Sequence, residues 1–460
     1  PLRSPGVEPE RGLFNWEGFF RLLDGNLKRL ERWKIRPLRA KALRVAEKWM
    51  LDRFVDSDGL GAIFPPIVWS IVALKCLGYR NDSMEVTYCH EQLQSLMIEE
   101  QDTVRLQPCK SPVWDTSLSL RALGAVGCGE DDTAAVAASR WLLEKEVTRP
   151  GDWANHVKAE PGGWFFEYHN AFYPDLDDTA VVLATLHEHF LEKGSAVGHE
   201  ERPAVAHAMA DGATNARDRA LLLDQVIHAC NRGRRWVLAM QNSDGGWGAF
   251  DRDNDREFLC KVPFADHNAM IDPSTPDLTG RVLEGLAQWD LSLDDPAVKR
   301  AVQFLRQSQE EDGSWIGRWG VNYIYGTWQS VVGLVSVGVP TNDPAVRKAA
   351  EWLLRYQQEC GGWGESPKTY DHPSLRGQGP VTASQTAWAV MGLLACGLYN
   401  HPATQRGVRY LVDQQRDDGS WYEPEFTGTG FPRVFYLRYH MYPIYFPLMA
   451  LGRMRSAGQD

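Results

Sequence analysis

The chain predicts an all-α protein, built from stacked helical hairpins that close into α/α barrels. Three features point there. A motif of aromatic residue, Gln and Gly-x-Trp recurs four times in fixed register, spacings of three and four apolar residues run between Gly, Pro and Asp turns, and strand-type alternation is almost absent. Stacked hairpins are a natural way to bury such repeats.

The composition bounds the class. Of 460 residues 43% are apolar and 24% charged, which excludes a disordered, collagenous or disulfide-stapled chain. This length suits one large domain or two to three smaller ones. Lys and Arg number 49 against 60 Asp and Glu, for a net charge of -11, so the basic face of a nucleic-acid binder is not expected. Eight scattered cysteines contain no CxxC pair, which fits a reducing compartment. The first residues do not read as a signal peptide. The longest uncharged apolar stretch, Leu60 to Leu74, contains Pro65-Pro66 and is shorter than the roughly 18 residues of a membrane span. Tryptophan is the outlier: 18 Trp, with 15 Tyr and 17 Phe, are a large stock of π-faces.

The repeats read Trp236–Gln241–Trp247, Phe304–Gln309–Trp315, Trp352–Gln357–Trp363 and Tyr410–Gln415–Trp421, each with Gly two residues before the final Trp. Looser copies occur at Trp49–Phe54–Leu60 and Trp141–Glu146–Trp153. The expected role is structural: Gly ends a helix at its C-cap, Trp stacks over the next helix end, and the Gln amide bonds carbonyls there. Helices are expected at 117–126, 133–146, 179–190, 279–288, 296–309, 344–358, 383–396 and 403–415. The polar, Ala-rich segment 193–223 reads as a surface insertion.

The sharpest feature is Asp175-Leu176-Asp177-Asp178-Thr179-Ala180, between Phe172-Tyr173-Pro174 and the apolar run Val181-Val182-Leu183. One Asp would cap a helix here; three exceed that need. Adjacent carboxyls in a dry site cannot all ionise, so one holds a proton and becomes a strong, buried acid. No GxSxG, P-loop, HExxH or GxGxxG motif accompanies it. Aromatic clusters do, at 163–168, 318–325 and 431–442. An acid facing many rings suits protonation of an alkene, with each desolvated face contributing about 2 kcal/mol to a carbocation.

At these residues the sequence resembles the squalene–hopene cyclases. The likeness rests on the repeats, on Tyr173 to Ala180, and on the segments 241–251, 317–327 and 427–432. It implies two α/α barrels, one inserted in the other, with residues 1–110 in a partial inserted barrel and 111–460 in the catalytic one. Relatives carry further N-terminal sequence, so an incomplete first barrel and one open cavity wall are expected. Asp177 is implied as proton donor, flanked by Asp175 and Asp178. Asp277 is implied as a supporting carboxylate, and Arg281 stands where relatives often have His, a permanent charge that would sharpen the acid. Trp114, Phe166, Phe250, Trp319, Tyr325, Phe431, Phe435, Tyr439 and Tyr442 are implied as cavity walls and cation stabilisers. Phe250 replaces a Tyr of some relatives. Phe64 replaces a Gln, which leaves the split between alkene and alcohol products open. No cofactor or metal is implied.

Squalene, the implied substrate, partitions into bilayers. The apolar stripe of Trp16, Phe19, Phe20, Leu23, Leu27, Leu30 and Trp33, followed by eight Lys/Arg and one Glu over 28–44, suits a helix lying on an anionic leaflet. The expected partners are therefore squalene and the cytoplasmic face of the bacterial inner membrane, with peripheral, monotopic attachment and a homodimer as the assembly to test. The competing readings are a class II diterpene cyclase, which would need basic residues around a diphosphate, an α/α-barrel glycosidase, and a non-catalytic helical-repeat binding module.

Overall fold

The computed structural model describes residues 15–34, 36–128, 132–191, 214–262 and 270–458. The chain enters through α1 (Trp16–Arg32), α2 (Arg39–Asp52), α3 (Phe64–Leu77) and α4 (Met84–Ser95), then a hairpin of β1 (Met97–Glu100) antiparallel to β2 (Thr103–Leu106). This part has a small core of Met50, Leu74, Val86 and Cys89. No residue of α1 is buried. Hydrogen bonds and an ion pair join this part to the rest of the chain. Arg53 pairs with Asp152 and donates to the Tyr173 hydroxyl, and Asp58 N–H donates to the His169 carbonyl at 2.9 Å.

Next come α5 (Pro112–Ala125), α6 (Thr133–Glu144), α7 (Leu176–Phe190), α8 (Thr214–Ala239), α9 (Pro276–Gln288), α10 (Pro296–Ser308), α11 (Tyr323–Ser336), α12 (Pro344–Arg355), α13 (Ala383–Ala395), α14 (Pro402–Asp413) and α15 (Tyr442–Ala457). Odd-numbered helices from α5 form a ring, each packed on the next, and α15 closes it against α5. Even-numbered helices pack outside. Sequence decides the layer. In α11 every residue from Tyr323 to Leu334 is buried, as an inner helix requires. In α10 only Val298, Ala301, Val302 and Leu305 are buried, one stripe at helical spacing. Inner helices α9 and α11 approach so closely that a Cβ on Gly333 would strike the Gly280 backbone. Asp-Pro starts fix the outer helices: Ala297 N–H donates to Asp295 at 2.7 Å and Ala345 N–H to Asp343 at 2.9 Å.

The Gln of each repeat does bond carbonyls. Gln309 Nε2 donates to Gly313 O and to Ala345 O, both at 2.9 Å, and Gln357 likewise reaches Gly361 O and Ala403 O at 2.7 Å. Two details correct the expectation. The glycines are not C-caps but sit in the turn beyond, where φ is +97° at Gly313 and a Cβ would lie 2.5 Å from the Lys348 carbonyl of α12. The tryptophans fold back instead of onward: Trp315 Nε1 donates to Leu305 O, and Trp363 Nε1 to Leu353 O. Each turn is thus tied to its own helix by Trp and to the next outer helix by Gln and Gly.

The expected helices appear, with shifted ends. The structure adds helices outside those ranges, among them the inner helices α11 and α15. Residues 193–213 of the expected insertion lie outside the described residues. Residues 214–223 are not an insertion: they open α8, and Leu222, Val226 and Cys230 bury its inner stripe. Beyond α14, β3 (Gly428–Phe431) pairs antiparallel with β4 (Phe435–Leu437). This hairpin bonds the α11 entry through Val321 N–H to Thr427 O at 2.8 Å.

Candidate active site

The acidic motif starts α7, inside the ring. Asp175 is the N-cap: its Oδ1 accepts from the N–H of Asp177 at 2.6 Å and of Asp178 at 3.3 Å. Flanking segments fix this start, since Asp175 N–H donates to Trp164 O and Leu176 N–H to Ala249 O. One aspartate therefore does cap, and the other two are left for other work.

Asp177 Oδ1 lies 2.6 Å from Arg281 Nε of α9. Arg281 also donates to the Tyr325 hydroxyl. Asp178 Oδ1 is buried with no hydrogen-bond partner among the described residues. Burial, then the neighbouring Asp177 charge, pushes Asp175 well above the usual carboxylate range. Burial, then Asp175 and Asp177, does the same to Asp178. Burial raises Asp177 only to about 6, because Arg281 opposes it. Burial works against the Arg281 charge, yet Asp177 and other neighbours raise its pKa overall. Protons therefore sit chiefly on Asp175 and Asp178, and the one carboxyl that ionises readily is the one with a counter-ion.

Asp177 faces a cavity of about 300 Å3. All three aspartates line it, as do Trp114, Phe166, Phe250, Trp319, Phe431, Phe435, Tyr439 and Tyr442. Tyr439 and Tyr442 stack at 4.2 Å, while Phe166 meets Tyr439 edge-on at 6.4 Å and lies tilted against Trp114 at 6.3 Å. Phe431 and Phe435 come together because β3 and β4 pair them. Phe250, at 36% exposure, stands where the cavity nears solvent.

Three of the residues singled out in the sequence lie off the wall. Tyr325 is not on the wall: it is packed behind it against Trp328 and Trp388 and serves as the hydroxyl partner of Arg281. Asp277 makes no hydrogen bond to the aspartates. Its Oδ1 accepts from Thr275 Oγ1 at 2.6 Å, and its Oδ2 accepts the N–H groups of Arg318 and Trp319 at 2.7 and 2.8 Å, so it fixes the Trp319 loop. Phe64 borders a neighbouring depression, and Ile63 beside it reaches the cavity.

The sequence reading missed Glu167 and Asn170. Both line the cavity, and Asn170 Nδ2 donates to Glu167 Oε2 at 3.1 Å. Burial pushes Glu167 up to about 8, against the pull of Asn170. Its place beside Phe166 in an aromatic run was the available signal. Cys109, also on the wall, carried none, and Thr429 and Leu437 lay inside segments already singled out without being named. Among the described residues no group of three or more His, Cys, Asp or Glu is arranged to hold a metal ion.

Comparison with known families matches residues 110–218 and 212–456 to the squalene-hopene cyclase C-terminal domain and residues 3–102 to its N-terminal domain. The squalene–hopene cyclase of Zymomonas mobilis is 40% identical over 99% of this chain and 67% of its own length. That of Schizosaccharomyces japonicus is 42% identical over 96% and 64%, and that of Alicyclobacillus acidocaldarius 42% identical over 95% and 65%. The chain thus spans about two thirds of these relatives' length.

Proposed function

The chain belongs to the squalene–hopene cyclase family, and from that footing we propose that it closes squalene into hopene, hopanol or both, with Asp177 as the proton donor. The Asp177 O–H proton adds to the terminal alkene, whose π pair forms the new C–H bond. Each following alkene attacks the cation so formed and makes a ring C–C bond. The last cation loses a proton to give an alkene, or bonds to a water oxygen, which then gives up a proton, to give an alcohol. The carboxylate left on Asp177 is not stranded, because Arg281 already lies against it.

The observation that carries this reading is the Asp177–Arg281 pair opening onto a ring-lined hollow. The hollow keeps water from the cation, and the ring faces replace it as the stabilising medium. We assign Trp114, Phe166, Tyr439 and Tyr442 to cation stabilisation, and Asp277 to the placement of Trp319. Lys, Arg and His are absent from the described residues that line the cavity, which disfavours a substrate carrying a diphosphate.

The same proposal divides the chain at about residue 110. It places α1 in the interface of an anionic bilayer at the cytoplasmic face of the bacterial inner membrane. Trp16 is 47% and Phe19 52% exposed in the first turn of that helix, whose other end carries Lys28, Arg29 and Arg32. Among the described residues no helix is long and apolar enough to cross a membrane.

Incubation with squalene in detergent, followed by gas chromatography, tests the cyclase reading. Pentacyclic products are expected with or without a chelator. Asp177→Asn should lose more than about 1000-fold in rate while keeping its helical spectrum. A wild-type chain that leaves squalene unchanged would overturn the reading.

A further inference from the structure

Two arginines lie near the cavity, and they are balanced differently. Arg281 has Asp177. Arg318, in the loop before α11, has no carboxylate within ion-pair distance among the described residues. Two carboxylates whose charge reaches it are engaged with backbone: Asp272 accepts the N–H groups of Phe250 and Asp251, and Asp277 those of Arg318 itself and Trp319. The side chain instead donates from Nη1 to the Gly430 carbonyl of β3 at 2.8 Å. Its guanidinium carbon sits 4.1 Å from the centre of the Trp319 ring and 5.2 Å from that of Phe431. Both rings line the cavity, and Arg318 itself does not. An arginine stays charged even when buried.

A ring attracts a cation through the negative charge on its faces. When a fixed cation already occupies one face, a second cation brought to the other meets less attraction, plus direct repulsion across a low-dielectric gap. Trp319 and Phe431 are therefore poor hosts for a carbocation, although aromatic content alone would count them as good ones. Phe166, Tyr439 and Tyr442 have no such guanidinium laid on them in the described structure, and the one 5.0 Å from the Trp114 ring, that of Arg281, is balanced by the Asp177 carboxylate once the proton has left.

We propose that Arg318 is a specificity-determining residue: by loading Trp319 and Phe431 with a permanent charge it makes that wall a shape-giving surface, so the migrating cation does not pause there and cyclisation runs on to completion. The inference rests on the cyclase reading and assigns Arg318 no contact with substrate.

The test uses the full chain and three variants. Arg318→Lys keeps the charge, Arg318→Gln keeps a donor without the charge, and Arg318→Met removes both. With squalene, incompletely cyclised products should rise by several-fold to about tenfold in the Gln and Met variants, and stay within about twofold of wild type in Lys. A second readout does not need turnover. Polyprenyl amines with the ammonium at successive positions along the chain should include one that binds about tenfold tighter to the Gln and Met variants than to wild type and Lys. If Lys behaves like Met, Arg318 is a clamp for the hairpin and the proposal fails. It fails equally if all three variants keep the wild-type products and affinities. Should wild type not convert squalene at all, the cyclase reading falls, and the amine series still decides whether Arg318 governs cation placement.

Discussion

Asp177 Oδ1 and Arg281 Nε meet at 2.6 Å on side chains that are 10% and 2% exposed. Two opposing effects are combined at one atom. Burial makes the carboxyl hold its proton, and the guanidinium makes it release that proton to something as weakly basic as an alkene. Neither effect alone gives a usable acid, since burial without Arg281 gives a weak one and Arg281 in water gives an ionised one.

The pH dependence has a definite sign. The reacting form is protonated Asp177, whose pKa burial raises to about 6. Below that value the donor is loaded; at pH 7 about one molecule in ten carries the proton, and each further unit costs about tenfold. Initial rates between pH 5 and 8 should therefore be flat on the acid side and fall with unit slope above about 6. A rate that climbs through this range would show that the ionised carboxylate is the working form.

Replacing Arg281 should act through the acid and leave the cavity in place. Arg281→Met strands the Asp177 carboxylate in a dry site, a cost of about 3–5 kcal/mol for a broken buried pair, so turnover should drop by at least about 100-fold. The descending limb of the pH profile should move upward, because Asp177 loses the charge that opposed burial. Arg281→His should be active only where the imidazole is charged, adding a titration near about 6.5. If Arg281→Met kept both rate and profile, the ion pair would have no part in the proton transfer.

The acid and most of its wall were legible in the sequence for local reasons. A helix N-cap needs one carboxylate, so three in four residues announced a second purpose. The repeats kept fixed spacings because Gln309 and Gly313 must meet a helix start a set distance onward. Tyr325 misled because an aromatic position says nothing about which layer it occupies; its hydroxyl turned out to be spent on Arg281 behind the wall. The supporting place implied for Asp277 left its partners open, which are the Thr275 hydroxyl and backbone N–H groups 41 and 42 residues away. Glu167 was passed over because a single Glu in an aromatic run looks like a solvated residue until the fold buries it. Helix α15 was hidden by Pro443 and Pro447, which suggest a break in sequence, although Pro443 lies in the first turn and Pro447 inside the helix.

The repeat turns predict a stability effect separate from catalysis. Gln309→Ala removes two hydrogen bonds and leaves the Gly313 and Ala345 carbonyls without that donor, a loss of about 1–3 kcal/mol. Gly313→Ala should be worse, because it demands positive φ of an L residue and places Cβ against the Lys348 carbonyl. Thermal unfolding followed by circular dichroism should show both midpoints lowered, Gly313→Ala further, with the product pattern from squalene unchanged. Altered products would mean the turns reach the cavity after all.

The last prediction concerns α1. Its apolar stripe is exposed, and against the barrel side the described contacts are ring contacts of Trp16 and Phe20 with Phe258. A helix that leaves Leu22 and Leu27 in water gains by burying them in the boundary between headgroups and acyl chains, and its basic residues gain about 1 kcal/mol each near an anionic surface. The charge contribution is screened by salt and the apolar one is not. Flotation with liposomes containing anionic lipid should therefore recover the wild-type chain at low salt. A variant with Lys28, Arg29, Arg32 and Arg36 changed to Gln should be recovered less, and added salt should narrow the difference. A variant with Trp16 and Phe19 changed to Ser should bind less at every salt concentration. Equal recovery of all three proteins would remove α1 from the membrane face and leave its exposed rings to be explained by a protein contact.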